Sequence, residues 1–232
     1  MKGSDLGGYL ITLEGDDGAG KSIQGEMLIT HLRNSRLDVV TFREPGTTKI
    51  GNQIRDVLHD TGNVEMMDRT ETLLYQASRA QVAGEQLIPA LKNRKIVVLD
   101  RFRDSSVAYQ GFARGMGAGW VDSLNDFSTE GLTPDLTILF DIDAEVGMMR
   151  RRVGSELGEE WNRMDALEKE FHDDVVYAYR VLAENDIDNR WEIVDASRSI
   201  EVIHKDVMRI TEGRLVKAGL LEGRIGNPER RG

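Results

Sequence analysis

The sequence predicts an α/β fold in which a five-stranded parallel sheet carries helices on both faces. Three observations predict it. Short unbroken apolar runs, such as YLITLE at Tyr9–Glu14 and IVVL at 96–99, suit strands buried on both faces. These runs alternate with segments of helical period, the order that builds parallel sheets through right-handed crossovers. A glycine-rich turn joins the first run to a helical stretch, so the chain opens as strand, tight turn, helix.

Each element follows from its pattern. After the strand at Tyr9–Glu14 and its turn, residues 24–32 have helical period. Residues 39–42 form a second strand. Ile50, Ile54, Val57 and Leu58 fall at helical spacing. Residues 70–91 read as one long helix, bent or broken near Pro89. The strand at 96–99 ends on Asp100. Residues 105–110 and 120–127 read as a pair of helices. LTILF at 136–140 is another buried strand, after Pro134 and Asp135. Helices at 144–153 and within 161–184 follow, then a last strand at 191–194 and a last helix at 199–210. No repeat or low-complexity segment interrupts the pattern. Residues 1–212 therefore read as one domain. Residues 213–232 hold Arg214, Lys217, Arg224, Arg230, Arg231 and five glycines. They read as a flexible tail, with a docking element or oligomer contact as the alternative.

Composition narrows the function. A chain of 232 residues with 40% apolar residues suffices for one domain with a real core. No apolar run approaches the ~18 residues a membrane span needs. The first ten residues lack the apolar stretch of a signal peptide, which points to the cytoplasm. There is no cysteine, so disulfides, thiolate catalysis and cysteine-ligated metals are excluded. A net charge of −10 disfavours wrapping nucleic acid. It leaves room for small anionic ligands held by a few arginines in one cleft.

Residues 15–22 read GDDGAGKS and match G-x-x-x-x-G-K-[ST] between a strand and a helix. Backbone N–H groups of such a loop point at phosphate oxygens, and the helix N-terminus adds a favourable dipole. Gly15, Gly18 and Gly20 permit the tight turn. Lys21 is placed to reach the β and γ phosphates and Ser22 to ligate Mg²⁺. The ATP site thus spans Gly15, Asp16, Asp17, Gly18, Ala19, Gly20, Lys21, Ser22 and Ile23. Asp100, at a strand end, either helps hold Mg²⁺ or caps the next helix.

Phosphoryl transfer spreads charge over several oxygens, and the guanidinium fork meets these bidentately. The candidates are Arg43, Arg79, Arg101, Arg114, Arg150, Arg151, Arg152 and Arg163. Arg43 and Arg101 directly follow strands, whose ends line the ligand crevice of an open α/β sheet. The run Arg150–Arg151–Arg152 cannot aim all three side chains one way along a helix. Residues 154–162 (GSELGEEWN) are either a lid that closes over the nucleotide or a passive loop. Tyr75 and Arg79, four residues apart, share a helix face, where an aromatic and a guanidinium can serve one nucleotide. Either tyrosine ring, Tyr75 or Tyr109, can instead serve core packing. His31, His59, His172 and His204 are scattered and read as surface or packing histidines.

Taken together, these residues resemble the thymidylate kinase family of bacteria and their viruses. The likeness rests on LEGDDGAGKSIQ at 13–24, REPG at 43–46, TETLLYQASRAQ at 70–81 and DRFRDSSVAYQG at 100–111. It continues through PDLTILFDIDAEVGMMR at 134–150, NRMD at 162–165 and DASRSIE at 195–201, in the family's order and spacing. The resemblance implies the P-loop nucleoside monophosphate kinase fold with a lid at about 150–164. It implies transfer of the γ-phosphoryl of ATP to dTMP, giving dTDP and ADP, with Mg²⁺ as cofactor and a homodimer as assembly. By the same likeness Arg43 holds the acceptor phosphate and Asp17 contacts the deoxyribose 3′-hydroxyl region. Tyr75 stacks on thymine, and Arg79 sits beside base and phosphate. Asp100 and Arg101 handle Mg²⁺, water and phosphates. Ser105, Ser106, Tyr109 and Gln110 line base and sugar, with Tyr109 a block against a ribose 2′-hydroxyl. Arg150 and Arg163 close on the transferring phosphate. Metal ligation falls to Ser22 and Asp100.

The chain departs from the family pattern in four places. Thr47 replaces the second glycine of the usual REPGGT, which strains the loop if that position has positive φ. Ile23 replaces a hydroxyl-bearing residue after the phosphate loop. Ala113 replaces the first glycine of GRG. Asp165 replaces the lid's glutamate. The first departure leaves open a modified deoxypyrimidine monophosphate as the acceptor.

Overall fold

In a computed structural model of the chain, residues 1–158 and 160–222 are described. Strands β1 (Tyr9–Glu14), β2 (Val39–Arg43), β3 (Ile96–Asp100), β4 (Leu136–Asp141) and β5 (Trp191–Asp195) form one parallel sheet. Their order is β2-β3-β1-β4-β5. The burial patterns follow from that order. Central β1 is buried at every residue, whereas edge strands β2 and β5 are partly exposed.

The helices are α1 (Lys21–Asn34), α2 (Lys49–His59), α3 (Asp68–Val82), α4 (Ile88–Lys92) and α5 (Arg103–Ser106). They continue as α6 (Ala118–Thr129), α7 (Ala144–Glu156), α8 (Lys169–Glu184) and α9 (Ile200–Lys217). Leu28 and Leu32 of α1 pack with Ile203 and Val207 of α9 against one face of the sheet. Val82, Leu87 and Leu91 meet Val97 and Leu99 on the other. A third cluster joins Tyr109 to Val175 and Tyr179 of α8.

The structure redraws three expected elements. The stretch read as one helix at 70–91 is α3, a π-helical turn at Ala83–Leu87, and then α4. The winding changes one turn ahead of Pro89, because its ring crowds the carbonyl four residues earlier and it donates no hydrogen bond. The helix at 105–110 is α5 followed by a second π-helical turn, Val107–Ala113. Helix α7 runs to Glu156, so 154–156 belong to it rather than to a loop.

The tail also differs from its reading. Helix α9 continues past Ile210 to Lys217, with Leu215 buried and Leu220 and Leu221 packed against the core. Arg214 pairs with Glu192 of β5 at 2.8 Å. Residues 223–232, with Arg224, Arg230 and Arg231, lie outside the described residues. Among the described residues no helix is long and apolar enough to cross a membrane.

Candidate active site

The carboxyl ends of the central strands bring the functional residues together. Register places Leu13 of β1 and Arg43 of β2 opposite Asp100 of β3. A cleft of about 540 Å³ opens above them. The phosphate loop turns on Gly15, Gly18 and Gly20, all at positive φ (139°, 78° and 87°). A methyl group at Gly18 would lie 2.1 Å from the carbonyl oxygen of Gly147, so loop and α7 touch backbone to backbone. Lys21 begins α1 and folds back, donating to the carbonyls of Gly15 (3.0 Å) and Asp16 (2.8 Å). Burial and the neighbouring Arg101 cation lower its pKa, while Asp17, Asp100 and Asp16 oppose them. The hydroxyl of Ser22 donates to Asp100 at 3.0 Å, bringing both expected metal ligands to one point.

Arg101 organises the floor. It adopts φ 65° and donates to Asp17 at 2.7 Å, to Tyr109 at 3.1 Å and to Ser105 at 3.2 Å. Burial alone would raise the pKa of Asp17, but Arg101 and Lys21 outweigh it and hold the carboxylate below its usual range. Two acids that sequence reasoning did not single out for these contacts sit beneath. Glu14 is fully buried and accepts from the Phe102 N–H (2.8 Å), Ser105 (2.6 Å) and Tyr179 (2.9 Å). Burial, aided by Asp104, nevertheless lifts its pKa to about 7. Asp16 does not line the cleft; it accepts from Tyr109 (2.9 Å) and contacts Nδ1 of buried His172 at 3.1 Å. His172 is thus a packing histidine with a defined partner, one that lies far away in the chain. Gly15 and Ala19 also shape the loop from outside the cleft lining.

The opposite wall carries the acceptor-side candidates. Arg43, Tyr75, Ser105, Ser106, Tyr109 and Gln110 all line the cleft. The loop after β2 has a cis Glu44–Pro45 bond and places Thr47 at φ 71°, the strained conformation expected if glycine belongs there. Arg79 is the clearest correction. It does not line the cleft. It is 1% exposed and donates to Glu44 (2.7 Å), Ser106 (2.7 Å), Asn125 (2.8 Å) and the Phe102 carbonyl (3.0 Å). It ties α3 to the loop and α6 from inside, because a buried guanidinium requires this many acceptors. Glu44, its partner, is pushed up to about 7 by burial against the pull of Arg79.

Helix α7 and the segment after it form the third wall. Arg150 lines the cleft and donates to the Ala196 carbonyl at 2.9 Å. Arg151 also lines it and pairs with buried Asp165 at 2.8 Å. Arg163 departs from its expected place in the cleft. It donates to Glu71 at 2.6 Å and to the Leu58 carbonyl at 3.1 Å. Glu71 gathers Arg114 and Gln110 as well, at 3.0 Å and 2.9 Å. Sequence reasoning passed over Arg55 and read His59 as a surface or packing histidine, yet both line the cleft beside Glu160. Burial and the charge of Arg55 lower His59 to about 4, so it is neutral at neutral pH. Their signal was the spacing Ile54, Arg55, Leu58, His59, which puts polar residues beside an apolar helix face.

A parallel 2-3-1-4-5 sheet, a phosphate loop after its central strand and a second, arginine-lined wall define a P-loop nucleoside monophosphate kinase. The thymidylate kinase family model matches residues 13–207. The chain is 45% identical over 213 residues to the thymidylate kinase of Halothermothrix orenii, covering 90% of this chain and 99% of that one. It is 40% identical to that of an Exiguobacterium species (93% and 99% covered) and 42% identical to that of Clostridium novyi (86% and 96%). The crystal structure of thymidylate kinase from Ehrlichia chaffeensis superimposes with a TM-score of 0.69 at 27% identity, covering 88% of this chain and 99% of that one. The chain belongs to the thymidylate kinase family and is an enzyme of that family.

Proposed function

We propose that the chain transfers the γ-phosphoryl group of ATP to dTMP, forming dTDP and ADP. Thymidylate kinase activity is the function that the family and the relatives support in common. The observation that carries it here is the single cleft joining Lys21 and Ser22 to Arg43, Tyr75, Tyr109 and Gln110. A nucleotide switch has no use for the second set.

In this reading the loop amides bind the donor phosphates, and Lys21 turns from its two carbonyl acceptors to the β and γ oxygens. Arg43 grips the acceptor phosphate, and Tyr75 stacks on the base. Tyr109, braced by Asp16 and Arg101, stands against the sugar. Arg101 and Arg150 neutralise charge on the transferring group. A phosphate-monoester oxygen is already a nucleophile, so positioning carries the reaction without a dedicated base. Ser22 and Asp100 are hard oxygen donors 3.0 Å apart and fit Mg²⁺, which when bound would offset charge on the donor phosphates. Residues from about 150 to 164 form the lid, with Glu160 reaching Arg55 at 3.5 Å across the cleft. Exposed Ile50 and Val57 of α2, Leu73 of α3 and Phe127 of α6 supply an apolar face for a homodimer, since α3 packs against both α2 and α6.

A coupled ADP-release assay over a panel of nucleoside monophosphates tests this reading. dTMP is expected to be the preferred acceptor. The panel includes dUMP and 5-substituted analogues, because Thr47 reshapes the acceptor loop. Activity on none of them would sink the proposal. Lys21→Ala is expected to lower kcat by about 10²–10³ with the fold intact.

A further inference from the structure

The loop between β2 and α2 is held at nearly every residue. Glu44 is tied to Arg79, and its N–H donates to the Asp100 carbonyl at 2.9 Å. The Gly46 N–H donates to Ser78 at 3.2 Å. Thr48 caps α2 by accepting from the Gly51 N–H at 2.9 Å. Thr47 lies between them in the left-handed region, where a β-branched residue is disfavoured. Its hydroxyl supplies a reason for its presence. It accepts from the backbone N–H of Arg43 at 3.0 Å and donates to the carbonyl of that same residue at 2.9 Å.

The geometry of an edge strand makes this contact specific. N–H and C=O of one strand residue point to the same side. At Arg43 that side faces away from β3, because the next N–H, that of Glu44, is the one that reaches Asp100. One hydroxyl therefore occupies both peptide groups that the edge strand would otherwise leave to solvent. The side chain of Arg43 itself lines the cleft and makes no hydrogen bond or ion pair among the described residues. With no such partner to hold it, and with the Arg55 charge close by, its direction depends on where its backbone is placed.

We infer that Thr47 is a positioning residue for the acceptor phosphate: its hydroxyl clamps both peptide groups of Arg43, fixes the exit of β2 and aims the guanidinium into the cleft. The inference rests on the kinase reading of the site. It explains why a residue with an unfavourable backbone conformation stands where glycine would relax the loop.

Three substitutions separate the hydroxyl from the backbone. Thr47→Val keeps the shape and loses the hydroxyl. Thr47→Gly loses the hydroxyl and relieves the backbone. Thr47→Ser keeps the hydroxyl. For an interaction made equally in ground and transition states, KM rises while kcat holds. Val and Gly are each expected to raise the dTMP KM, and the dTMP Kd measured by calorimetry, about five- to tenfold. In both, kcat and the KM for ATP should stay within about twofold. Ser should retain most of the affinity. In an Arg43→Ala background, Thr47→Gly should add less than about twofold, since the clamp then has nothing to aim. The inference is overturned if folded Thr47→Val binds dTMP like the wild type, if Ser is as damaging as Val, or if Thr47→Gly keeps its full effect without Arg43. A wild type that neither binds nor phosphorylates dTMP overturns the kinase reading, and this inference with it.

Discussion

Glu14 shows how a single residue beneath the cleft couples proton binding to folding. Its folded pKa of about 7 stands above the 4.5 of an exposed carboxyl. Between those values the folded chain holds a proton that the unfolded chain has released. The stability due to Glu14 is therefore full below about pH 4.5 and is lost as pH rises toward 7. Glu14→Gln cannot titrate. The Tm of the wild type relative to that variant should be higher at about pH 5.5 than at about pH 8, and a difference that stays constant with pH would disprove this. Residues of this kind separate what the sequence can disclose from what it cannot. Gly18, Lys21, Ser22 and Asp100 were legible because a local motif and a strand end set their places. Arg79 was not. Its spacing from Tyr75 puts both on one helix flank, but Glu44, 35 residues earlier, draws its guanidinium inward. The partnership of His172 with Asp16 has no local signal at all.

At the scale of elements, the contact between phosphate loop and α7 has a direct consequence. Gly147 lies on the helix that carries Arg150 and Arg151. A methyl group there would stand 2.6 Å from the Asp17 carbonyl oxygen, so helix or loop must move. Gly147→Ala is expected to lower kcat/KM by about 10²-fold, since a displacement of ~1 Å in a positioning element can cost that much. Wild-type turnover in a folded variant would show that α7 does not set the arginines. Strand positions were legible because unbroken apolar runs are short and bounded. The two π-helical turns were not, because one extra residue in a turn leaves the hydrophobic period almost unchanged. The end of α9 was missed for a different reason. Gly213 and the following basic residues resemble a frayed terminus, while Leu215 and the Arg214–Glu192 pair hold the helix to the core.

At the scale of the whole molecule, charge is unevenly placed. The net charge is −10, yet Lys21, Arg43, Arg55, Arg101, Arg150 and Arg151 line one cleft. Asp17, Glu44, Asp100 and Glu160 line it too, so the cations outnumber the carboxylates there on an otherwise acidic chain. The apolar side chains on α2, α3 and α6 belong to the same scale. Sedimentation equilibrium should find a dimer, and Phe127→Glu, altering a residue 88% exposed in the single chain, should shift it to monomer. A wild-type monomer would refute the assembly. The strand order also bears on how the enzyme comes into being. β1 has no sequence neighbour beside it: Tyr9 pairs with Ile96, and Ile11 with Leu136. On the ribosome the phosphate loop is made before β3 and β4, and it has no platform until both flanking strands have emerged. Because distant pairings must form first, the nascent chain carries its nucleotide motif mute until β4 has been made.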